Sequence, residues 1–161
     1  MPTVKIGGHL FCIVVWLLLC STLSAEERFT DNGDGTVTDH KMGLMWVQSD
    51  NLGNINWRQA KKWVTYTVIY TLSKRYEDWR LPTLNEVKSL YVINKNSPIR
   101  ETACGMKIKV IPEIKLSCGW VWTSETKDIS ATVFTFEKGY QFPELMRQDK
   151  AHRALAVRSI R

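Results

Sequence analysis

The chain has 161 residues, the length of one domain, and it contains no internal repeat, low-complexity stretch or long linker. These features argue against a repeat protein and against a multidomain architecture. Lysine and arginine number 22 against 16 aspartates and glutamates, which gives a formal net charge of +6 at pH 7. Such an excess either attracts a polyanionic partner or serves only to keep the protein soluble.

The first 25 residues have the organisation of a signal peptide. Lys5 precedes the uninterrupted apolar run Leu10–Cys20, which is too short to span a bilayer, and small residues follow it. Cleavage after Ala25 fits this pattern best. Residues 1–25 are therefore predicted to direct export, and residues 26–161 to form a mature domain with no stable membrane span.

Two other fates of the N-terminus are left open. Leu23 is larger than the residue usually found three positions before a cleavage site, so an uncleaved anchor is one alternative. Lipidation at Cys20 is the other, although a lipoprotein has a small residue before its modified cysteine and this chain has Leu19. The predicted destination is the periplasm, the outer surface or the medium.

The segment Phe29–Val47 is predicted to be a β-hairpin followed by a further strand. Residues 31–35 (Asp-Asn-Gly-Asp-Gly) supply the turn, and β-branched residues follow them. The same acidic residues superficially resemble a calcium loop. That register fails, because Thr30 would take the first ligand position and Lys41 the place of the bidentate glutamate. The prediction is a turn without a metal.

Two helices are predicted after the hairpin. Apolar residues recur at helical spacing over Trp57–Leu72, and Asn56 is a suitable N-cap. The β-branched and aromatic composition of the later part makes the far end of this helix the weaker portion of the prediction. Thr83 and Glu86 form a capping-box pattern, which predicts a second helix over residues 84–92.

The rest of the chain is predicted to begin as a loop, residues 94–119, and to continue as strands at residues 121–126, 132–136 and 155–160. Short strands with two helices near the front indicate an α+β domain with one core. Six of the seven tryptophans lie after residue 25 and provide large apolar area for that core.

Two groups of aromatic residues admit two interpretations. Trp63, Tyr66 and Tyr70 form a second stripe on the first predicted helix, and Trp120 and Trp122 alternate in a predicted strand. Exposed rings of this kind stack on the apolar faces of sugars. Burial against a neighbouring element is the favoured interpretation, because such stripes usually belong to a core.

Cys104 and Cys118 are the only cysteines of the predicted mature domain. An even pair in an exported chain meets an oxidising compartment, so a disulfide between them is predicted. A zinc site is the competing interpretation, but the further cysteine or histidine ligands that zinc needs are missing. Neither a metal nor a cofactor is expected.

Charge is distributed unevenly along the chain. Residues 26–56 carry two basic and six acidic groups, residues 57–100 nine and three, and residues 101–161 ten and seven. For an exported protein the natural counter-ions are anionic glycans, lipid head groups and extracellular DNA. The candidate ligand-binding residues are basic residues of predicted loops, where binding sites concentrate, although a solvated face is the alternative. They are Lys107, Lys109, Lys115, Arg147, Lys150 and Arg153.

Six segments form an ordered set of motifs from about residue 28 to residue 161. They are the hairpin Arg28–Val47, Trp57-Arg58-Gln59-Ala60, Asp78-Trp79-Arg80-Leu81-Pro82-Thr83, Val121-Trp122-Thr123-Ser124-Glu125-Thr126, the strand from Ala131 to Gly139, and Val157–Arg161. In this order they resemble the Lcl C-terminal domain, a bacterial family named after a collagen-like surface adhesin. The resemblance implies an exported domain, related to C-type-lectin-like folds and used in adhesion.

The sequence departs from that family in its cysteines. Many members have one cysteine in the first helix and one in the final strand, where this chain has Ser159. The joint absence indicates a lost disulfide and leaves the implied fold intact. The usual calcium-dependent sugar motifs of lectins do not occur. The C-type-lectin-like relationship also raises an oxidase of the formylglycine-generating type, which would act through Cys104 and Cys118.

Asp78, Trp79 and Arg80 admit a catalytic interpretation, with Arg80 near two carboxylates if Glu86 folds back. A structural ion pair and an aromatic plug that seat the second helix are favoured, because charged groups near a core are rarely left unpaired. The sequence contains no serine, histidine or phosphate-loop motif of nucleophilic or phosphoryl chemistry.

The sequence thus predicts an exported, non-catalytic binding domain that contacts a polyanionic glycan or another envelope or extracellular polymer, without specific recognition of nucleic acid. A structural or protein-interaction module of the cell envelope is the second hypothesis. An oxidase is the third.

Overall fold

The computed structural model describes residues 1–3, 27–94 and 98–160. Within these residues the chain forms two short α-helices, α1 (Trp57–Lys62) and α2 (Leu84–Lys88), and short strands. The strands are β1 (Phe29–Asp31), β2 (Thr36–Asp39), β3 (Leu44–Val47), β4 (Arg100–Glu101), β5 (Lys107–Ile108), β6 (Trp120–Lys127), β7 (Ser130–Thr135), β8 (Tyr140–Leu145), β9 (His152–Arg153) and β10 (Val157–Ser159). The prediction of an α+β fold with two helices and mostly antiparallel strands is confirmed.

The predicted hairpin and its further strand form one sheet with a strand near residue 158. The strand order is β1-β2-β3-β10, and all neighbours are antiparallel. Trp46 of β3 faces Val37 of β2 on one side and Val157 of β10 on the other, and all three are buried. In the first turn Gly33 and Gly35 have φ values of 70° and 87°, a backbone conformation that glycine adopts without steric cost.

The second sheet contains two strands that the sequence analysis did not predict. Its order is β8-β7-β6-β9, in which β6 and β7 correspond to the predicted strands and β9 runs parallel to β6. Pro143 lies within β8, and a proline lowers the expectation of a strand because it has no N–H to donate. The sheet accommodates Pro143 because β8 is an edge strand.

The first helix begins where the sequence predicts and changes its geometry before the predicted end. The Asn56 side chain accepts a hydrogen bond from the Gln59 amide, and the Gln59 side chain returns one to the Asn56 amide. After Lys62 the chain continues as a π-helical turn, Trp63–Thr67, and a 3₁₀ turn, Val68–Tyr70. This irregular portion coincides with the β-branched and aromatic run, whose side chains crowd a regular α-helix.

The second helix also begins as predicted but is shorter. Thr83 and Glu86 make both hydrogen bonds of the capping box. The helix ends at Lys88, so the prediction of a helix as far as residue 92 is wrong. Tyr91 instead forms an antiparallel bridge with Val110, which requires extended backbone at Tyr91. The chain therefore leaves the helical conformation before residue 91 and runs beside the segment that follows β5.

Two clusters of buried side chains form the core, one on each face of the second sheet. Adjacent residues in β7 point to opposite faces, so Phe134 belongs to one cluster and Val133 to the other. In the same way Val121 and Trp122 of β6 divide between the clusters. The first sheet packs Trp46 into the cluster that contains Phe134, whereas α1 packs into the cluster that contains Trp122.

Several predictions concern residues outside the described part of the chain. The predicted signal peptide lies there from residue 4 onward, together with Cys20 and Ala25, and so do Asn96 and Ser97 of the predicted loop. Among the residues that are described, no helix combines the length and the apolar character needed to cross a bilayer.

Candidate functional site

Three aspartates of the acidic segment 26–56 are buried and accept hydrogen bonds from within the domain. Asp39 accepts two hydrogen bonds from the Arg28 guanidinium, at 2.8 and 3.0 Å. Asp50 accepts one from the Ser117 amide at 2.6 Å, and its two oxygens share the hydrogen of the Ser117 hydroxyl. Asp34 is the third. The segment therefore presents fewer carboxylates to solvent than its composition suggests.

Asp34 shows how these carboxylates are held in place. Burial raises the pKa of Asp34, but hydrogen bonds from Thr36 and Tyr76 and the nearby charge of Lys74 outweigh it, so the pKa lies below its usual value. These donors occupy the oxygens that the calcium-loop interpretation would assign to a metal. Within the described residues, no three side chains of histidine, cysteine, aspartate or glutamate are grouped so as to hold a metal ion.

Four of the six predicted ligand-binding residues are exposed, namely Lys107, Lys115, Arg147 and Lys150, and Lys109 is half-buried. None of these five pairs with a carboxylate of the described residues within 4.0 Å. The Lys115 ammonium donates to the side-chain oxygen of Gln48 at 3.2 Å. Their positive charges are thus available to solvent or to a ligand.

One of the exposed lysines, Lys150, lines a cavity of about 350 Å³. Lys150 lines this cavity together with Met106, which directly precedes Lys107, and Trp120 and Glu144 contribute further to its wall. Arg147 lines a different cavity, of about 430 Å³, with Arg58. Lys107 itself does not line the cavity, so the structure does not gather the six predicted residues into one site.

Arg153 is a correction to the sequence analysis. It lies in β9 rather than in a loop, and its side chain is only 7 % exposed. Its guanidinium donates to the Ser117 hydroxyl at 2.6 Å and to the Asn54 side chain at 3.0 Å, and it lies 3.9 Å from Asp50. Burial lowers the pKa of Arg153, against the opposing charge of Asp50. Arg153 holds strands together and is not available to a polyanion.

The predicted disulfide is present. It joins Cys104 and Cys118, whose Cα atoms lie 5.3 Å apart. The loop that it closes carries three of the candidate residues, Lys107, Lys109 and Lys115. The disulfide thereby fixes the segment that presents half of the predicted basic set.

The segment Asp78–Arg80 has the structural role that the sequence favours. The Arg80 guanidinium makes two parallel hydrogen bonds to the Glu86 carboxylate, at 2.7 and 2.8 Å, and Trp79 is buried. Burial raises the pKa of Glu86, but the hydrogen bonds from Arg80 and Thr83 bring it below its usual value. Glu86 therefore holds Arg80 and caps α2 at the same time.

A groove of about 380 Å³ lies where three of the motif segments meet. Its lining includes polar, cationic and aromatic side chains from all three segments. Among them are Trp57, Lys61, Arg80, Thr83, Ser124 and Thr126. The sequence analysis did not select this groove, although the motifs that supply Trp57, Arg80 and Ser124 were those that carried the family resemblance.

Hydrogen bonds between the motif segments explain why they converge. The Trp57 indole N–H donates to the Thr123 carbonyl at 2.9 Å, which joins α1 to β6. The Ser124 amide donates to the Pro82 carbonyl at 2.8 Å. The Leu84 amide donates to the Glu125 carboxylate at 2.7 Å, which joins α2 to the same strand.

A comparison with models of protein families matches residues 35–161 to the Lcl C-terminal domain. The chain belongs to the Lcl C-terminal domain family. The resemblance drawn from the ordered motifs is thus confirmed, with β1 lying before the matched stretch. No curated protein matches the chain significantly.

In this Lcl C-terminal domain one aromatic stripe is not buried as expected. Tyr66 and Tyr70 are 68 % and 72 % exposed, and the expectation of burial is wrong for both. Val64 and Val68 occupy the inward positions, and a residue two places along a helical turn lies on the opposite side. Trp122 is buried as favoured, since it packs into the cluster that also contains Val64 and Val68.

Proposed function

We propose that this member of the Lcl C-terminal domain family is an exported, non-catalytic domain of C-type-lectin-like type that attaches to a polyanionic glycan or another envelope or extracellular polymer. The observation that carries this proposal is a contrast between its acidic and basic groups. Asp34, Asp39 and Asp50 are buried in internal hydrogen bonds. Lys107 and Lys150 are exposed and have no carboxylate of the described residues within 4.0 Å.

Burial decides how strongly each charged group can attract a ligand from solvent. A buried carboxylate that is held by internal donors offers little to a surface ligand, whereas an exposed ammonium without a partner attracts any repeated negative charge nearby. A polymer compensates for weak single contacts because several of its charges engage at once. Lys109, Lys115 and Arg147 are proposed to add to this attraction from their own positions.

The test is retention of the purified protein on a sulfated polysaccharide matrix over a series of salt concentrations. A variant with Lys107→Gln and Lys150→Gln should elute at lower salt than the wild type. The matched control carries Lys41→Gln and Lys62→Gln, which remove the same charge from exposed positions elsewhere. If both variants lose retention equally, net charge alone explains the binding, and Lys107 and Lys150 have no special role. A wild-type protein that passes through unretarded at low salt would exclude polyanion binding.

Docking to another envelope protein is the second candidate, and the exposed pair Tyr66 and Tyr70 favours it. Two large aromatic side chains held in one helical segment are typical anchors of a protein interface. Capture of a protein partner that resists salt and is lost with Tyr66→Ser and Tyr70→Ser would support this function instead.

An oxidase acting through Cys104 and Cys118 is the third candidate. The two sulfurs that such an enzyme would use are bonded to each other, so thiol chemistry would have to begin with reduction of that bond. For this reason we propose a non-catalytic role.

A further inference from the structure

The groove between α1, α2 and β6 is a separate feature from the lysines on which the proposed function depends. Its volume of about 380 Å³ lies at the small end of the range for ligand pockets, roughly 300 to 1,000 Å³. The lysine that lines this groove, Lys61, belongs to α1, whereas Lys150 lines a different cavity and Lys107 lines neither. The two regions can therefore be tested independently.

One wall of the groove is an aromatic ring in a fixed orientation. The Trp57 indole N–H donates to the Thr123 carbonyl, which sets the plane of the ring, and the side chain is only partly buried. The Lys61 ammonium lies 5.6 Å from the centre of that ring. Since an indole face attracts both cations and the C–H groups of a sugar, Trp57 and Lys61 together suit a ring-shaped ligand that carries a negative charge.

The groove offers two cationic side chains, Lys61 without a carboxylate partner among the described residues and Arg80 already paired with Glu86. Lys61 makes no ion pair with a described residue. Arg80 uses three of its five N–H donors on Glu86 and the Leu81 carbonyl, and its side chain is 41 % exposed. Glu125, which follows Ser124, turns its carboxylate to the Leu84 amide instead. Among the described residues that line the groove, none is acidic.

Hydroxyl groups complete the lining. Ser124 and Thr126 stand two positions apart in β6 and both face the groove, and Thr65 and Thr83 approach it from the helical side. Thr83 accepts the Glu86 amide through its oxygen and also hydrogen-bonds the Glu86 carboxylate, which leaves the hydroxyls of Ser124 and Thr126 for a ligand. Such groups recognise the hydroxyls of a saccharide.

We propose that this groove binds one anionic sugar residue, a pyranose bearing a carboxylate or a sulfate. The sugar ring packs on Trp57, the Lys61 ammonium and the free Arg80 donors bind the anionic group, and Ser124 and Thr126 bind ring hydroxyls. A carboxylated and a sulfated sugar share this chemistry, and the experiment distinguishes them.

The test follows the indole and backbone N–H resonances of the ¹⁵N-labelled full chain by NMR during titration with glucuronate, N-acetylglucosamine 6-sulfate or neutral glucose. The Trp57 indole signal is identified by its loss in Trp57→Phe. We expect the Trp57 indole and the Ser124 amide to shift with one or both anionic sugars and not with glucose.

The matched pair of variants is Lys61→Gln and Lys62→Gln, which remove the same charge from neighbouring exposed positions of α1, only one of which lines the groove. Lys61→Gln should weaken binding about three- to tenfold, as expected for loss of one charged contact, and Lys62→Gln should not. Thr126→Tyr, which fills the groove from an exposed strand position, should abolish the shifts.

Three results would overturn the proposal: equal shifts with glucose, shifts confined to residues near Lys107 and Lys150, or no shift at tens of millimolar sugar. The third result together with normal retention on the sulfated matrix would remove the groove and leave the proposed function intact. If the groove resonances shift with an anionic sugar but the matrix does not retain the protein, the groove proposal stands and the proposed polyanion binding falls.

Discussion

The imidazole of His152 stacks on the indole of Trp122, with ring centroids 4.4 Å apart and an angle of 16° between the planes. His152 is 1 % exposed, and neither ring nitrogen has a hydrogen-bond partner of good geometry among the described residues. The Lys150 backbone acts to raise the pKa of His152, as the charges of Glu144 and Asp149 do. Burial lowers the pKa of His152 more than Glu144 and Asp149 raise it, and the charge of Arg153 acts in the same direction as burial.

His152 should therefore make the fold sensitive to mild acid. A group whose pKa is lower in the folded state stabilises the fold fully above its unfolded pKa, here about 6.5, and that contribution is lost as the pH falls towards the folded pKa. The pKa values of Asp34 and Glu86 are also lowered, but from 3.8 and 4.5, so their contributions are lost only at more acidic pH.

The measurement is a series of thermal melts from pH 8 to pH 5 on the wild type and on His152→Phe, which keeps an aromatic ring against Trp122. The melting temperature of the wild type should fall relative to the variant as the pH drops below about 6.5. Parallel curves for the two proteins would show that His152 does not titrate in the fold.

Glu86 of α2 forms an ion pair with Arg80, and replacing Glu86 with glutamine should weaken this interaction. Glu86→Gln keeps the shape but loses the charge and places an amide donor against the Arg80 guanidinium. We expect the free energy of unfolding in urea to fall by about 1–3 kcal/mol. Glu101→Gln is the matched control, because Glu101 is exposed, and it should change stability by no more than about 0.5 kcal/mol. Equal effects of the two substitutions would contradict a structural role for the Arg80–Glu86 pair.

Helix starts could be predicted from the sequence because their determinants are local. Asn56 and Thr83 each cap a helix through a residue three positions away, and both caps are present. The end of α2 could not be predicted, since it depends on the bridge between Tyr91 and Val110. Likewise β9 is a strand only because His152 pairs with Trp120.

The same distinction between local and distant partners applies to the candidate site. Lys150 and Arg153 have similar sequence surroundings, yet one is exposed and the other buried. The partners that bury Arg153 include Asn54 and Asp50, which lie about a hundred positions earlier in the chain. Nothing near residue 153 indicates them. By contrast, the disulfide could be predicted, because the predicted mature domain offers one possible pair.

The disulfide should be a major contribution to stability. Replacing Cys104 and Cys118 together with alanine should lower the free energy of unfolding by about 3 kcal/mol, because the unfolded chain is no longer closed into a loop. Reduction of the wild type should have a similar effect. Intact-mass analysis after alkylation without reductant provides the direct check. Two alkylated thiols in protein isolated from an oxidising compartment would contradict the bond.

Lys150 and Arg153 should respond oppositely to the same substitution. Arg153→Gln removes donors to Ser117 and Asn54 and leaves the Asp50 carboxylate buried without its countercharge, so the free energy of unfolding should fall by about 3 kcal/mol. Lys150→Gln should change stability by no more than about 0.5 kcal/mol, because Lys150 is exposed, but should lower the salt concentration at which the protein elutes from a sulfated matrix. Urea denaturation and salt elution of both variants, compared as folded protein, check this. A stable Arg153→Gln protein with weakened retention would return Arg153 to the ligand-binding set and contradict its assignment as a buried structural residue.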